Sequence, residues 1–295
     1  MRWIGLVVAT LSLVFAGVSA GPAFFAPTLD VPGQYATVQQ AIDAAPAGAI
    51  IRIGPGTYRE ALVITRPVAL IGAAGGSTRI DAADAESVVT VRATREVRIE
   101  GLTVVGGDHG ILVEESQAVQ LIGNHVIGAR FAGIRLSRAS ALIKMNEVRA
   151  GVGPYGMGIE LANTMSRPPS VITGNVVVGA TREGIILHNS HAMIESNTIT
   201  GSGLRGVSIS EMSMATVAKN TIMDNADAGI WVVDSSVADI AGNHIGAMRV
   251  GPEGRLNGIG VFYYGEVMLG SGNHIEVDAD RAIVATFGGT VESRK

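Results

Sequence analysis

Asn197-Thr198-Ile199-Thr200-Gly201-Ser202-Gly203-Leu204-Arg205-Gly206-Val207-Ser208-Ile209-Ser210 is one copy of a pattern that recurs through most of the chain. An Asn is followed two residues later by a branched apolar residue, and nine residues later by a Gly that precedes Ile or Val. The asparagines are Asn124, Asn146, Asn175, Asn197, Asn220, Asn243 and Asn273; the glycines are Gly110, Gly133, Gly158, Gly184, Gly206, Gly229 and Gly258. Successive glycines lie 23, 25, 26, 22, 23 and 29 residues apart, so one structural unit is repeated. Positions +1 and +3 after each Gly are apolar, as in Val207 and Ile209, and this period of two marks a half-buried strand. Strands of about 3 to 5 residues, punctuated by Gly or Asn, require several turns per repeat. Three short strands then make one coil.

The fold expected is all-β: a single-stranded right-handed parallel β-helix, or solenoid, with a short N-terminal capping helix. Helical repeats of similar length are rejected, because the Val, Ile, Thr and Gly content would cost each helix several kcal/mol. Stacked coils place each Asn about 4.8 Å from the next, where the side chains can form an internal ladder.

Outside the repeats, residues 1–20 read as a signal peptide: an apolar run from Ile4 ends in small residues before Gly21 and is too short to span a bilayer. Residues 21–36 read as a linker, 37–92 as the capping helix and entry coils, and 93–290 as β-helix repeats. Thr37 and Gln40 fit the N-cap and N3 positions of a helix reaching about Ala45, with Val38, Ala41, Ile42 and Ala45 on its apolar face. The mature chain should lack a membrane span and lie in the periplasm or outside the cell. The chain has no cysteine, which excludes disulfides and thiolate metal sites. A net charge of −4 gives no basic field for a nucleic acid. Oligomeric state leaves no mark in the sequence.

The stretch Tyr35 to Gly72, containing Tyr-Ala-Thr-Val-Gln-Gln-Ala-Ile and Ile51-Arg52-Ile53-Gly54-Pro55-Gly56-Thr57-Tyr58, resembles the entry segment of pectate-lyase-like parallel β-helix proteins. That superfamily includes pectin methylesterases, polysaccharide lyases, mannuronan C5-epimerases and the β-helix protein of nitrous-oxide reductase maturation. The resemblance implies the fold and a polysaccharide as one class of ligand. Their catalytic motifs do not transfer: Asp108-His109 matches only half of the epimerase Asp-Pro-His-Asp.

Positions +2 and +4 after each Gly should point outward. They place Arg135, Glu160, His188 and Trp231 on one face, with Arg182, Glu183 and Arg205 at the bordering turns. The Asn-to-Gly interval lengthens to twelve before Gly158 and to fifteen before Gly258. The two added loops, one holding Tyr155 and the other Arg249, Glu253 and Arg255, should wall a groove suited to an extended polymer. Chemistry on an acidic polysaccharide there would take His188 as base, Arg135 or Arg205 to neutralise a carboxylate and Tyr155 as proton donor. Glu160 would orient an Arg, and Trp231 would stack on a sugar. Arg182 and Glu183 complete the expected binding surface.

No cofactor and no metal site are expected. His188, His191, Met193, Met212 and Met214 mix imidazole with thioether in a way that suits copper, yet the methionines equally fill gaps in a core. His125, His244 and His274 each follow a ladder Asn, which suggests turn packing. The expected function is binding, with lyase or epimerase chemistry as its extension, of an acidic polysaccharide outside the cytoplasm. The alternative is a non-catalytic accessory factor for metalloprotein maturation, or a structural or adhesive module.

Overall fold

A computed structural model describes residues 26–252 and 254–294; the expected signal peptide and Glu253 lie outside these. Three parallel sheets run the length of the molecule as the faces of a prism. Sheet 1 has 12 strands, from Thr28–Val31 to Thr290–Ser293. Sheet 2 has 10, from Gly56–Tyr58 to His274–Ile275, and sheet 3 has 10, from Leu62–Ile64 to Ile283–Ala285. Each coil crosses sheet 3, then 1, then 2, so every strand pairs with its counterpart one coil away. This is the right-handed parallel β-helix expected.

The coil begins earlier and ends later than the repeat pattern. Residues 28–31, expected within a linker, pair with Ala49–Ile53, and a strand at Thr290–Ser293 closes sheet 1. A short second helix, Ala279–Ala282, was not foreseen. The first helix spans Val38–Ala44, with Thr37 Oγ1 accepting from the Gln40 N–H at 3.2 Å. Its other free N–H groups, on Val38 and Gln39, donate to the Glu60 carboxylate at 2.8 and 2.9 Å. A residue from the next coil thus completes the cap and ties the helix to the end of the stack.

The Asn ladder occupies the turn from sheet 1 to sheet 2. Asn197 Nδ2 donates to Ile172 O at 2.9 Å and to Asn220 Oδ1 at 3.0 Å, and the same oxygen accepts the Asn197 backbone N–H at 2.9 Å. The arrangement repeats from Asn124 to Asn273. The turn from sheet 3 to sheet 1 has a second ladder: the Ser190 N–H donates to Ser213 Oγ at 3.0 Å, and the Ser213 N–H to Ser236 Oγ at 3.1 Å. Buried turn amides are thereby satisfied without water.

The repeated Gly is required by space. A Cβ on Gly206 would meet Ile222 Cγ2 and lie 2.8 Å from Gly229 O. The core inside is a stack of Val, Ile and Leu from all three sheets, such as Ile199, Val207 and Val217, each fully buried.

Candidate functional site

Sheet 3 carries the expected face. Its register places Arg135 opposite Glu160, Glu160 opposite Ile186, Ile186 opposite Ser208, and Ser208 opposite Trp231. One position further out, Ala162 lies opposite His188, and His188 opposite Ser210. Near the C-terminal end this face holds a cleft of about 410 Å³, bordered by Arg182, Glu183, His188, Arg205, Trp231, Asp234, Arg255 and Tyr263.

The floor of the cleft is a charge network. Arg205 Nε donates to Asp227 Oδ2 at 3.0 Å, and Nη1 to Glu183 Oε1 at 3.4 Å. Both carboxylates are almost fully buried, and the Arg205 side chain is 12% exposed. Two charges removed from water require a cation held between them. Arg182 Nε joins at 3.3 Å from Glu183 Oε2.

Trp231 is 4% exposed, which changes its expected role. Its ring stacks on Phe262 at 4.3 Å between centroids and lies beneath the guanidinium groups of Arg205, at 4.5 Å, and Arg255, at 5.1 Å. Covered by protein, the indole is a support and leaves no open face for a sugar. Tyr263, 49% exposed and stacked on Phe287 at 5.2 Å, is the aromatic open at the border of the cleft.

His188 borders the cleft at the C-terminal end of its strand, Ile185–His188. Its Nδ1 is 3.0 Å from Glu211 Oε1 and 3.3 Å from Ser210 Oγ, and Ser210 Oγ donates to Leu187 O at 2.9 Å. With the serine proton committed to a carbonyl, the network assigns the imidazole proton to Nδ1. In the neutral ring Nε2 is then left as an acceptor.

Arg135 and Glu160 form a separate pair at 2.8 Å, one coil step from the cleft. Burial pushes the Glu160 carboxyl above the usual carboxylate range, and the Arg135 charge opposes that shift. Tyr155, on the loop before the Met157–Ala162 strand, is 62% exposed and is not among the residues lining the cleft. The structure therefore brings together His188, Arg205, Trp231, Arg182 and Glu183, sets Arg135 and Glu160 beside them, and leaves Tyr155 apart. Asp227, Glu211 and Tyr263 were missed. Arg205, Glu183 and Asp227 sit one or two residues before their repeat Gly, a recurring position that could have signalled a second column of site residues.

The remaining histidines are not packed into turns. His125, His244 and His274 point outward from sheet 2, and each meets a carboxylate. His125 Nδ1 is 3.2 Å from Glu147, while His244 and His274 Nε2 approach the same Glu276 oxygen at 2.8 and 3.1 Å. Asp108 is held by Arg130 at 2.6 Å. His109 is half-buried against Phe131, and burial lowers its pKa, with the Arg135 charge adding to the effect. Among the described residues no helix is long and apolar enough to cross a membrane.

A cell surface glycoprotein from Methanothermus fervidus is 32% identical over 108 residues, a match covering 36% of this chain and 18% of that protein. Among solved structures, an alginate lyase from Paenibacillus superposes with a TM-score of 0.68 at 14% identity, covering 88% of this chain and 98% of that one. The A-module of a mannuronan C-5 epimerase from Azotobacter vinelandii gives 0.53 at 18% identity, covering 88% and 95%. These two likenesses show the fold alone. The model of the family described as "Periplasmic copper-binding protein (NosD)" matches residues 96–259, more than half of the chain and most of its coils. The chain belongs to the NosD family of parallel β-helix proteins and is periplasmic or extracellular.

Proposed function

We propose that this protein holds an extended acidic polysaccharide along sheet 3, with the cleft around Arg205 as its anchoring subsite. The carrying observation is the cleft itself. A flat β face leads into a pocket where an exposed aromatic, Tyr263, stands near guanidinium groups and an imidazole with an open acceptor nitrogen. Aromatic rings stack on sugar faces, and guanidinium groups pair with uronate carboxylates in two parallel bonds. Arg205 bridges two buried carboxylates, and Arg182 and Arg255, which border the same cleft, are the cations assigned to the ligand's charge. His188 is positioned to accept a proton in lyase or epimerase chemistry. Several proteins of this fold are named for action on alginate or pectate, which supports the reading.

Titration of the mature protein with alginate and polygalacturonate oligomers, beside neutral oligomers of equal length, tests it. Saturable, salt-sensitive binding of an acidic oligomer is expected. Equal or absent binding of both kinds removes the proposal.

Family membership favours a second reading, an accessory factor that handles copper. The thioether set fits this only in part. His191 lies opposite Met214 on sheet 1, with Met193 two residues along the same strand. Met212 is 63% exposed in the turn, and His188 belongs to sheet 3 and is bound to Glu211. His191, Met193 and Met214 are thus the residues of this set that could present an imidazole and thioethers to Cu(I). The five do not converge on one shell, and no tight site is expected from them.

A further inference from the structure

The outer face of sheet 2 carries a different donor set. His244 and His274 are register partners on the last two strands of that sheet, and Glu276 follows His274 on the same side. One ligand atom from each of the three lies within 4.8 Å of the other two. Glu276 Oε1 is shared between the two Nε2 atoms at 2.8 and 3.1 Å, and the rings are 5.0 Å apart between centroids. Both imidazoles direct the same nitrogen at the same point.

Two features of the scaffold hold this arrangement. The final rung of the Asn ladder joins the residues immediately before the histidines. Asn243 N–H and Nδ2 donate to Asn273 Oδ1 at 3.0 and 3.1 Å, while the His274 and Glu276 N–H groups each donate to the preceding coil at 2.7 Å. The second feature is Gly246. The third position after the ladder Asn is Ile127, Arg149, Val178, Thr200 and Met223 in the five preceding coils, and Gly246 in the coil that faces Glu276. A Cβ there would lie 2.5 Å from Glu276 Oε2 and 2.9 Å from its Cβ. The missing side chain is the space into which Glu276 leans to reach His244 across the coil boundary.

We infer that His244, His274 and Glu276 form a binding site for a divalent first-row transition-metal ion, with Cu(II) held more tightly than Zn(II). Two neutral imidazole nitrogens and one carboxylate oxygen are a borderline donor set. It suits these ions, disfavours Mg(II) and Ca(II), and leaves a coordination position open to water or to a donor from a partner. Bonds of about 2.0–2.2 Å require the donors to spread around the ion, and an exposed surface permits that movement. The site lies on a different sheet from the polysaccharide cleft and does not depend on it. His125 is the internal comparison: it occupies the equivalent position, but meets Glu147 without a second histidine.

The test is calorimetric titration of the untagged mature protein with Cu(II) and with Zn(II), together with electron paramagnetic resonance of the Cu(II) adduct. One ion per chain is expected, with hyperfine structure from two nitrogens. His244→Ala, His274→Ala and Glu276→Gln should each weaken binding by at least the roughly 10-fold that changes around a metal site commonly cost. Gly246→Val should do the same by displacing Glu276. His125→Ala and His191→Ala should leave affinity unchanged. Thermal melts establish that each variant is folded. Absence of stoichiometric binding, a site lost with His191 or His125, or a spectrum unchanged in His274→Ala would overturn the inference.

Discussion

The guanidinium of Arg205 lies over the indole of Trp231, 4.5 Å from the ring centroid, while bridging Glu183 and Asp227 beneath the cleft. One side chain therefore neutralises two buried acids from neighbouring coils and covers an aromatic from the next strand. Arg205→Ala removes the cation that bridges the two buried carboxylates and should destabilise the fold by about 3–5 kcal/mol in chemical denaturation. Arg205→Lys keeps the charge and loses the fork, so its cost should be smaller. A loss below about 1 kcal/mol in Arg205→Ala, the size of an exposed pair, would show the network to be solvated.

Trp231 and Tyr263 should separate cleanly. Trp231→Ala removes a buried ring and should cost about 3–5 kcal/mol of stability. Tyr263→Ala should leave stability nearly unchanged and weaken oligosaccharide binding with little dependence on salt. Arg255→Ala should weaken binding in a way that fades as ionic strength rises. Titrations at two salt concentrations, paired with melts, distinguish these outcomes.

Asn197→Ala deletes one rung and strips the backbone N–H of Asn175 and the carbonyl of Ile172 of their partners. The expected cost is about 1–3 kcal/mol, measured by urea unfolding. A change of a few tenths would mean that water enters the turn in the variant.

His109 supplies a dependence on pH. Burial and the nearby Arg135 charge hold its pKa below the ordinary histidine value, so the folded state favours the neutral ring. That contribution is fully present above the ordinary value, about 6.5, and is lost as pH falls through the lower folded value, because the unfolded chain binds the proton more readily. His109→Gln should flatten the decline in melting temperature between neutral and mildly acidic pH. Parallel curves for the two proteins would contradict this.

The fold was legible because Asn197, Gly206, Val207 and Ile209 have counterparts in coil after coil, and period and alternation together leave few architectures open. The direction of His188 and Trp231 followed from the same alternation. Burial did not: Trp231 points outward as expected and is then covered by Arg205, Arg255 and Phe262, contacts between coils that no local pattern encodes. Tyr155 was placed by loop length alone, which says where a loop begins but not which way its tip turns. The strand at Thr28–Val31 escaped notice because it lies outside the repeat, and its pairing with Ala49–Ile53 is what reveals it.

Because each Asn side chain reaches no further than the coils on either side of its own, the ladder has a fixed step and no fixed length. Duplicating a 22- or 23-residue segment would add one complete rung and lengthen every face by about 4.8 Å, leaving the interior continuous. Inserting a single residue within a strand would instead turn its apolar side chains toward solvent. The molecule is thus open to growth in whole coils and closed to change in single residues within strands. Loops such as 150–156, which leave the ladder and return to it, are where its chemistry is free to diversify.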